Sequence, residues 1–592
     1  MGAGRHAAMA LLGLQIGPKS KAMFALRCSM KCDAVMQITA QGVRMSFSKQ
    51  ASPSRHWGRH LKQHFKAGIA AALLLGLANT AAARTVEFDD ATVQELEAAM
   101  AAGTLTSEKL VELCLARIQA YDGQGPKLHA VMHLNAKALE QARALDAERK
   151  AGKVRSALHG IPVVLKDNYD TADMPTTGGS LLLEGSIPPK DAFLVKKLRD
   201  AGAIILAKVN MSEFASGAPK SSLGGQSLNP HDLMRTPSGS SGGTGVSVAA
   251  GYAPLGLGTD TGGSIRGPST SNGVVGLKPT HGLLSRSGII PLALTYDTGG
   301  PLTRNVADVA VVLNAMIGED AADAATKKSV GRTEKDYTKV LNPTALKGAR
   351  IGIARDFMGD DPDVDWVMES AMANMKKAGA TVVDVHYPKW LLTARQDFYN
   401  AVRYPEFAVQ IGDYLKTLGP KYPKSLAEMI DRTNTLQSPR ADGAGPNTVR
   451  WTLFRRELDS GTLQDYRYKS VVEHGLPMVR QIVEGVVAAD KLDAIIYPTS
   501  SKKTALLAAP SEAPGSGGGT NLANLTGFPD LIVPAGFTGE NLPVGVSFFG
   551  TAFSEPKLLA LSYSFEQTTH ARRRPVHTPA LKDAKVNVPG AE

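Results

Sequence analysis

The chain has 592 residues, of which 43% are apolar and 20% charged, a composition that supports a large buried core and excludes a disordered protein. Its formal net charge is +11, but residues 1–83 carry eleven Lys or Arg and one acid, which leaves residues 84–592 with a net charge of about +1. A nucleic-acid-binding domain normally carries a basic surface on its folded part, so we expect no nucleic-acid partner.

Residues 45–83 have the layout of a signal peptide. Four basic residues precede an apolar run over 67–78, which is followed by three alanines at 81–83. The run is shorter than the ~20 residues that a membrane-spanning helix needs, so we expect cleavage after Ala83, no stable membrane anchor, and a periplasmic or secreted protein. A mitochondrial presequence or a buried helix is the alternative. Residues 1–44 fit no such pattern and are a non-translated extension if translation starts at Met45.

The cysteines agree with this division, because only Cys114 lies in the predicted mature chain. An internal disulfide is therefore excluded there. Cys114 occupies the apolar face of a helix predicted over 107–121, which has Thr106 or Ser107 as its cap and Glu108 in its first turn. We interpret Cys114 as a small core residue.

The next elements predict an α/β fold. Residues 136–150 are rich in helix formers and are predicted to end near Gly152. Residues 161–165 and 203–207 are short apolar runs typical of strands buried on both faces, and 193–202 between them is predicted to be a helix. Strand, helix, strand indicates a sheet that is at least partly parallel.

A glycine-rich stretch at 217–300 holds 19 of the 59 glycines and still contains apolar segments. Such density, with apolar runs inside it, indicates close approach of backbone to backbone and ligand rather than a flexible linker. We place the active site there. Beyond it, 388–479 is helical in character, 493–497 and 531–533 are predicted strands, and 510–520 is predicted to be a mobile surface loop. We expect one large domain over 84–580 and a tail at 581–592.

Three motifs within these elements carry chemistry. They are the Ser-Gly-Ser-Ser-Gly-Gly-Thr-Gly run at 238–245, the Gly-Leu-Gly-Thr-Asp-Thr-Gly-Gly-Ser-Ile-Arg run at 256–266, and Lys166 at the end of an apolar strand. Together they resemble the amidase signature family, and the resemblance extends over roughly residues 100–565. It implies that Ser264 is the nucleophile, that Ser240, on a cis peptide bond, relays a proton, and that Lys166 is the base.

The resemblance also implies the fold and the reaction. It implies one large domain with a central mixed β-sheet flanked by helices on both faces. It further implies hydrolysis of a linear carboxamide of a small molecule to a carboxylate and ammonia or an amine, without a cofactor or metal. We expect a monomer or homodimer.

Physical chemistry makes these roles reasonable. A serine hydroxyl is a poor nucleophile until a base takes its proton, and a lysine serves as a base only when neutral. Burial lowers a lysine pKa by up to ~3–5 units, and the apolar run before Lys166 supplies such surroundings. Glycines before Ser264 leave backbone N–H groups free, so we predict an oxyanion hole made by Thr261, Gly262, Gly263 and Ser264. Asp260 and Arg266 are expected to pair and brace this loop.

Several alternatives remain at this point. Lys208 and Lys278 also follow apolar stretches, and only the resemblance prefers Lys166. Ser241 lies in a Gly-x-Ser-x-Gly pattern typical of α/β-hydrolases, although no strand is predicted before it. His129 and His133 have a spacing that would suit a metal on a helix, but their neighbours favour a strand.

Two other functions also compete with that of an exported amidase. One is the amidase subunit of a tRNA-dependent amidotransferase, which works in the cytosol with partner chains. The other is an inactive exported binding protein of the same fold. The export signal counts against the first, and the presence of all three catalytic residue types counts against the second.

The layout of residues 45–83 generates a first prediction, that the mature chain begins at Arg84. N-terminal sequencing or mass spectrometry of the exported protein measures this directly. A mature protein that starts at Met1 or Met45 would contradict export processing.

Overall fold

The computed structural model describes residues 84–217, 219–508, 520–582 and 584–589, together with the backbone of three strands nearer the N-terminus. The basic region, apolar run and cleavage site of the predicted signal peptide lie outside the described residues, as does most of the loop predicted at 510–520. The three strands belong to a unit of their own and form an antiparallel sheet: β1 (Ala22–Cys28), β2 (Cys32–Thr39) and β3 (Gly42–Phe47).

The second unit contains the remaining strands. In chain order they are β4 (Arg84–Glu87), β5 (Val131–Leu134), β6 (Pro162–Lys166), β7 (Ile204–Val209), β8 (Lys220–Ser221), β9 (Gly225–Gln226), β10 (Leu255–Asp260), β11 (Val275–Lys278), β12 (Thr298–Thr303), β13 (Arg350–Ala354), β14 (Thr381–Val385), β15 (Ala494–Pro498), β16 (Asp530–Phe537), β17 (Pro543–Phe549) and β18 (Lys585–Val588).

The described α-helices of this unit are distributed along the whole chain. They are α1 (Val93–Ala101), α2 (Ser107–Ile118), α3 (Ala138–Lys150), α4 (Phe193–Asp200), α5 (Gly242–Ala249), α6 (Arg266–Ser271), α7 (Val306–Met316), α8 (Pro362–Lys377), α9 (Lys389–Lys416), α10 (Leu426–Thr433), α11 (Thr448–Leu458), α12 (Tyr466–Ser470), α13 (Leu476–Ala489), α14 (Thr520–Thr526) and α15 (Glu555–Thr569).

Eleven strands form one mixed sheet, in the order β14-β13-β15-β17-β16-β11-β12-β10-β6-β7-β5. Strands β10, β6 and β7 are parallel neighbours, as are β14, β13 and β15, whereas the strands between these two groups pair antiparallel. Helices flank the sheet, which confirms the predicted α/β class with a mixed central sheet.

Local sequence signals account for the first elements. Thr106 caps α2, because its side chain accepts a hydrogen bond from the Lys109 amide. Strands β6 and β7 are buried at every residue, and α4 connects them as a parallel pair. The predicted strand–helix–strand unit is therefore confirmed.

The types of element predicted in the C-terminal part of the chain are confirmed, but their bounds differ. Helices α9 to α13 occupy the stretch predicted as helical. Strand β15 overlaps the strand predicted at 493–497, and β16 contains the one predicted at 531–533. Residues 581–592, predicted as a tail, include β18, which pairs antiparallel with β4. This pairing forms because Val586 and Val588 alternate with polar residues and are buried.

No described helix combines the length and the apolar character that crossing a bilayer requires. Cys114 is buried in α2, where burial raises the pKa of its thiol to about 12. The structure therefore agrees with its interpretation as a core residue.

Candidate active site

Lys166 ends β6 with a fully buried side chain. Its Nζ donates hydrogen bonds to Ser240 Oγ and to Thr259 Oγ1, each at 2.7 Å. Asn168 Nδ2 donates to the same threonine oxygen at 3.0 Å, which fixes the threonine beside the amine. Burial lowers the pKa of Lys166 to about 7, against the opposing charges of Asp260 and Asp297. At neutral pH a substantial fraction of the amine that contacts the predicted relay serine is therefore neutral.

The two rival lysines are engaged elsewhere. Lys208 Nζ lies 3.2 Å from Asp167 Oδ1 and donates to Thr176 Oγ1 at 2.8 Å. Lys278 Nζ donates to the carbonyl oxygens of Pro279 and Phe528, and burial lowers its pKa to about 7 as well. A low pKa alone therefore does not select Lys166. Its hydrogen bond to a serine hydroxyl does.

Backbone hydrogen bonds hold the segment that carries Ser240 against the loop that carries Ser264. The Gly239–Ser240 peptide bond is cis, as the resemblance implies. The Ser240 carbonyl accepts from the Ser212 amide at 3.0 Å, and the Ser241 amide donates to the Ser264 carbonyl at 3.2 Å. Ser240 is buried, whereas Ser264 is partly exposed. The predicted nucleophile is accordingly the serine that a substrate reaches.

Ser241 has a structural role instead. It is fully buried, and its hydroxyl donates to the carbonyl of Thr259 and accepts from the amide of the same residue, both at 3.2 Å. The residues before it form turns and no strand, so the strand–turn–helix context of a nucleophile elbow is missing. The α/β-hydrolase interpretation does not fit this geometry.

A buried carboxylate organises the loop that carries Ser264. Asp260 accepts hydrogen bonds from the amides of Gly263 and Ile265, both at 2.9 Å, and pairs with Arg266 at 3.0 Å. The same guanidinium reaches Asp530 at 3.0 Å. Burial alone would raise the pKa of Asp260, but Arg266 holds it well below its usual range. The predicted brace is therefore present.

The predicted oxyanion hole has fewer free amide donors than the sequence indicates. Because the Gly263 amide already donates to Asp260, it does not point freely at a substrate oxygen. Its φ of +123° is a conformation that favours glycine, which explains the residue type there. The amides of Thr261, Gly262 and Ser264 stay the candidates. Thr261 is held by a 2.5 Å hydrogen bond from its hydroxyl to Asp297.

Tyr399 on α9 also borders this loop. The sequence indicates it only as one of five aromatics between residues 390 and 407, a group typical of an apolar pocket or, more often, of the core. A Cβ built on Gly262 would lie 2.7 Å from the tyrosine hydroxyl, so the glycine is needed for close approach. The ring stacks on Tyr296 with centroids 5.3 Å apart. Of the aromatics predicted to line a pocket or the core, Phe407 is buried and Trp390 is 45% exposed. Tyr399 is the member of that group placed beside the catalytic loop.

Glu213 is a further residue that sequence reasoning missed. It follows Ser212, whose amide holds the Ser240 carbonyl, and its carboxylate is fully buried. It accepts hydrogen bonds from three separate segments, through Ser180 Oγ, the amide and hydroxyl of Ser222, Asn447 Nδ2 and Trp451 Nε1. The sequence around Glu213 does not indicate this role, because two of its hydrogen-bond partners lie over 200 residues away, at the start of α11.

The histidine pair does not form the helical arrangement that would suit a metal. His133 lies in β5 and His129 precedes it at a positive φ of 52°. Within the described ranges, no group of three or more His, Cys, Asp or Glu side chains is placed to hold a metal ion.

The chain has extensive similarity to known proteins. A family model described as Amidase matches residues 109–559. One relative, from the glutamyl-tRNA(Gln) amidotransferase of Myxococcus xanthus, is 37% identical over 507 residues, covering 83% of this chain and 99% of that protein. A probable amidase of Arabidopsis thaliana is 34% identical, covering 83% and 92%. The crystal structure of a peptide amidase from Stenotrophomonas maltophilia superposes with a TM-score of 0.75 at 39% identity, covering 83% and 99%.

The brace generates a prediction about Asp260→Asn. The amide keeps the side-chain volume but removes the charge that balances buried Arg266, so we expect a loss of about 3–5 kcal/mol in the free energy of unfolding together with loss of amide hydrolysis. Denaturant titration and initial rates measure the two effects. Asp431→Asn, an exposed aspartate of α10, is the matched control and should change neither. Wild-type stability for Asp260→Asn would show that the pair does not hold the loop.

Proposed function

The chain belongs to the amidase family, and from that premise we propose that it hydrolyses linear carboxamides through an acyl-enzyme on Ser264. The products are a carboxylate and ammonia or an amine. The observation that carries this proposal is the 2.7 Å hydrogen bond between buried Lys166 and Ser240, made by an amine whose pKa is about 7. This is the geometry that a lysine base acting through a serine relay needs.

The first half-reaction follows from these positions. Neutral Lys166 takes the hydroxyl proton of Ser240, and Ser240 takes the proton of Ser264. Ser264 Oγ then bonds to the amide carbon while the carbonyl oxygen becomes an oxyanion. The amides of Thr261, Gly262 and Ser264 donate to this oxygen, and each such donor is typically worth ~3–4 kcal/mol of barrier lowering.

Collapse of the tetrahedral intermediate breaks the carbon–nitrogen bond. The departing nitrogen receives the proton that the lysine stored, returned through Ser240, so it leaves as ammonia or an amine. A water molecule next gives its proton to the same relay and attacks the acyl carbon. Ser264 regains its proton from the relay as the carboxylic acid departs, and the site returns to its starting state. The acid then releases its proton to solvent and becomes the carboxylate.

We propose that the acyl group meets a mostly aliphatic surface. Beside Thr259 and Thr261, a cavity of about 10 Å³ is lined by four aliphatic side chains and by two charged ones, namely Ile289, Ile290, Leu292, Leu294, Arg286 and Asp297. The similarity to a peptide amidase supports amides of amino acids or short peptides as substrates. Ammonia release from a panel of primary amides, anilides and peptide amides tests this. A preference for charged acyl groups would contradict it.

The role of an amidotransferase component is the second candidate, because the Myxococcus xanthus relative is matched over 99% of its length. The signal-peptide layout of residues 45–83 favours an exported enzyme that works alone. The two candidates differ in a simple measurement. The exported amidase hydrolyses amides as a purified single chain, whereas an amidotransferase component is recovered from the cytosol, uncleaved, with a second protein.

The lysines provide a prediction about the base. Lys166→Met removes the proton acceptor and should abolish acylation, whereas Lys208→Met leaves Asp167 unpaired and should lower stability by about 3–5 kcal/mol yet keep the rate per folded molecule. The acylation rate of each variant is measured by stopped flow and divided by the concentration of folded protein, which the unfolding transition gives. This ratio separates the two variants. The opposite pattern would make Lys208 the base. Because only neutral lysine accepts a proton, wild-type kcat/KM should rise with pH through about 7 and then level off.

The serines provide a prediction about the covalent bond. Ser264→Ala removes the bonding atom, so no acyl-enzyme should form with any substrate. Ser240→Ala removes only the relay, which is worth ~10²–10⁴-fold, so slow turnover and labelling by a reactive fluorophosphonate should persist. Peptide mapping of the labelled wild-type protein identifies the residue. An adduct on Ser241 would support the hydrolase elbow, and one on Ser240 would reverse the two roles.

A further inference from the structure

A second cavity lies outside the catalytic residues. It has a volume of about 570 Å³ and is formed by α13, the segment that follows α14, and the loops around residues 280, 330 and 553. None of the residues assigned a chemical step lines it. Its size is in the range of sites that enclose a small molecule.

Four cations converge on this cavity. Lys327, Lys328, Arg332 and Arg480 line it, and Glu484 is the acid among the lining residues. In the part of the chain that the structure describes, no ion pair joins any of these four cations to a carboxylate. Residues 84–592 have a net charge of about +1, so this concentration is local and does not reflect a generally basic surface.

Hydrogen bonding and packing hold two of the cations in place. Arg480 donates from Nε to the Thr526 carbonyl at 2.9 Å, which leaves its terminal nitrogens for other partners. The Arg332 guanidinium lies over the Phe553 ring, 5.2 Å from its centroid. Burial, and then the charges of Arg480 and Arg286, lower the pKa of Lys328. Like charges kept close together destabilise each other, and a bound anion relieves that cost.

We propose that this cleft binds a small molecule that carries a carboxylate or phosphate group. The anionic group lies among the lysines and arginines, because guanidinium and ammonium donors form their strongest hydrogen bonds with charged oxygens. The rings of Phe528 and Phe553 and the side chain of Val330 supply an apolar wall for the rest of the molecule. The site is separate from the proposed amide chemistry and does not depend on it.

The shape argues against a polymeric partner. A nucleic-acid surface has cations along an extended stripe, whereas these four surround one half-open cleft. Molecules that carry a phosphate and molecules that carry a carboxylate both present charged oxygens to the cleft. The experiment therefore tests one compound of each kind.

Isothermal titration calorimetry of the full chain with inorganic phosphate and with succinate, at constant ionic strength, tests the site. The wild type should bind at least one of them saturably. The double variant Lys327→Gln/Lys328→Gln should weaken that binding about tenfold or more, since two charge-assisted contacts are lost. The matched control Lys376→Gln/Lys377→Gln removes an adjacent lysine pair from the end of α8 and should leave it unchanged.

The outcomes are distinct. Phosphate binding alone indicates a phosphate-bearing ligand, succinate binding alone indicates a carboxylate, and mutual competition indicates a general oxyanion site. All three support the proposal when only the Lys327/Lys328 variant loses affinity. Absence of saturable binding to the wild type, or equal weakening in both double variants, would overturn it. Amide turnover should be equal in all three proteins, which shows that each is folded.

Discussion

The parallel pairing of β6 with β10 is the constraint on which the site depends. Its register sets Val163 against Leu255 and Leu165 against Leu257, so the two strands end side by side. Lys166 is therefore delivered next to Thr259, and the following residue of β10 is Asp260, which holds the nucleophile loop. Lys166, the proposed base, and the loop that carries Ser264 are thus positioned by one pair of neighbouring strands.

A buried lysine can act as a base near neutral pH only if no carboxylate pairs with its ammonium form. The two carboxylates whose charges act on Lys166 already have partners. Asp260 pairs with Arg266, and Asp297 accepts hydrogen bonds from the Thr261 hydroxyl and from two backbone amides. If either were free to pair with Lys166, the ammonium form would be stabilised and the amine would stop being a base near neutral pH. The buried Asp260–Arg266 ion pair and the hydrogen bonds to Asp297 therefore help to keep the pKa of Lys166 low.

How much could be predicted from the sequence depends on how locally each feature is encoded. The Thr106 cap, the β6–α4–β7 unit and the Asp260–Arg266 brace arise from residues that are close in sequence, and all three are present. The hydrogen bond from the Gly263 amide to Asp260 was not predicted. A high density of glycine indicates free amide donors, but it does not indicate which of them a nearby carboxylate accepts from. The contacts of Glu213 were missed because no local period links it to α11.

The helical region at 388–489 is attached to the surroundings of the site at two points. Tyr399 of α9 contacts the loop at Gly262, and α11 is bound through Trp451 to Glu213. The base and the nucleophile loop, in contrast, stand on the sheet. We therefore expect substitutions in these helices to change the surroundings of Gly262 and Glu213, while Lys166 and the 260–266 loop keep the positions that the sheet gives them.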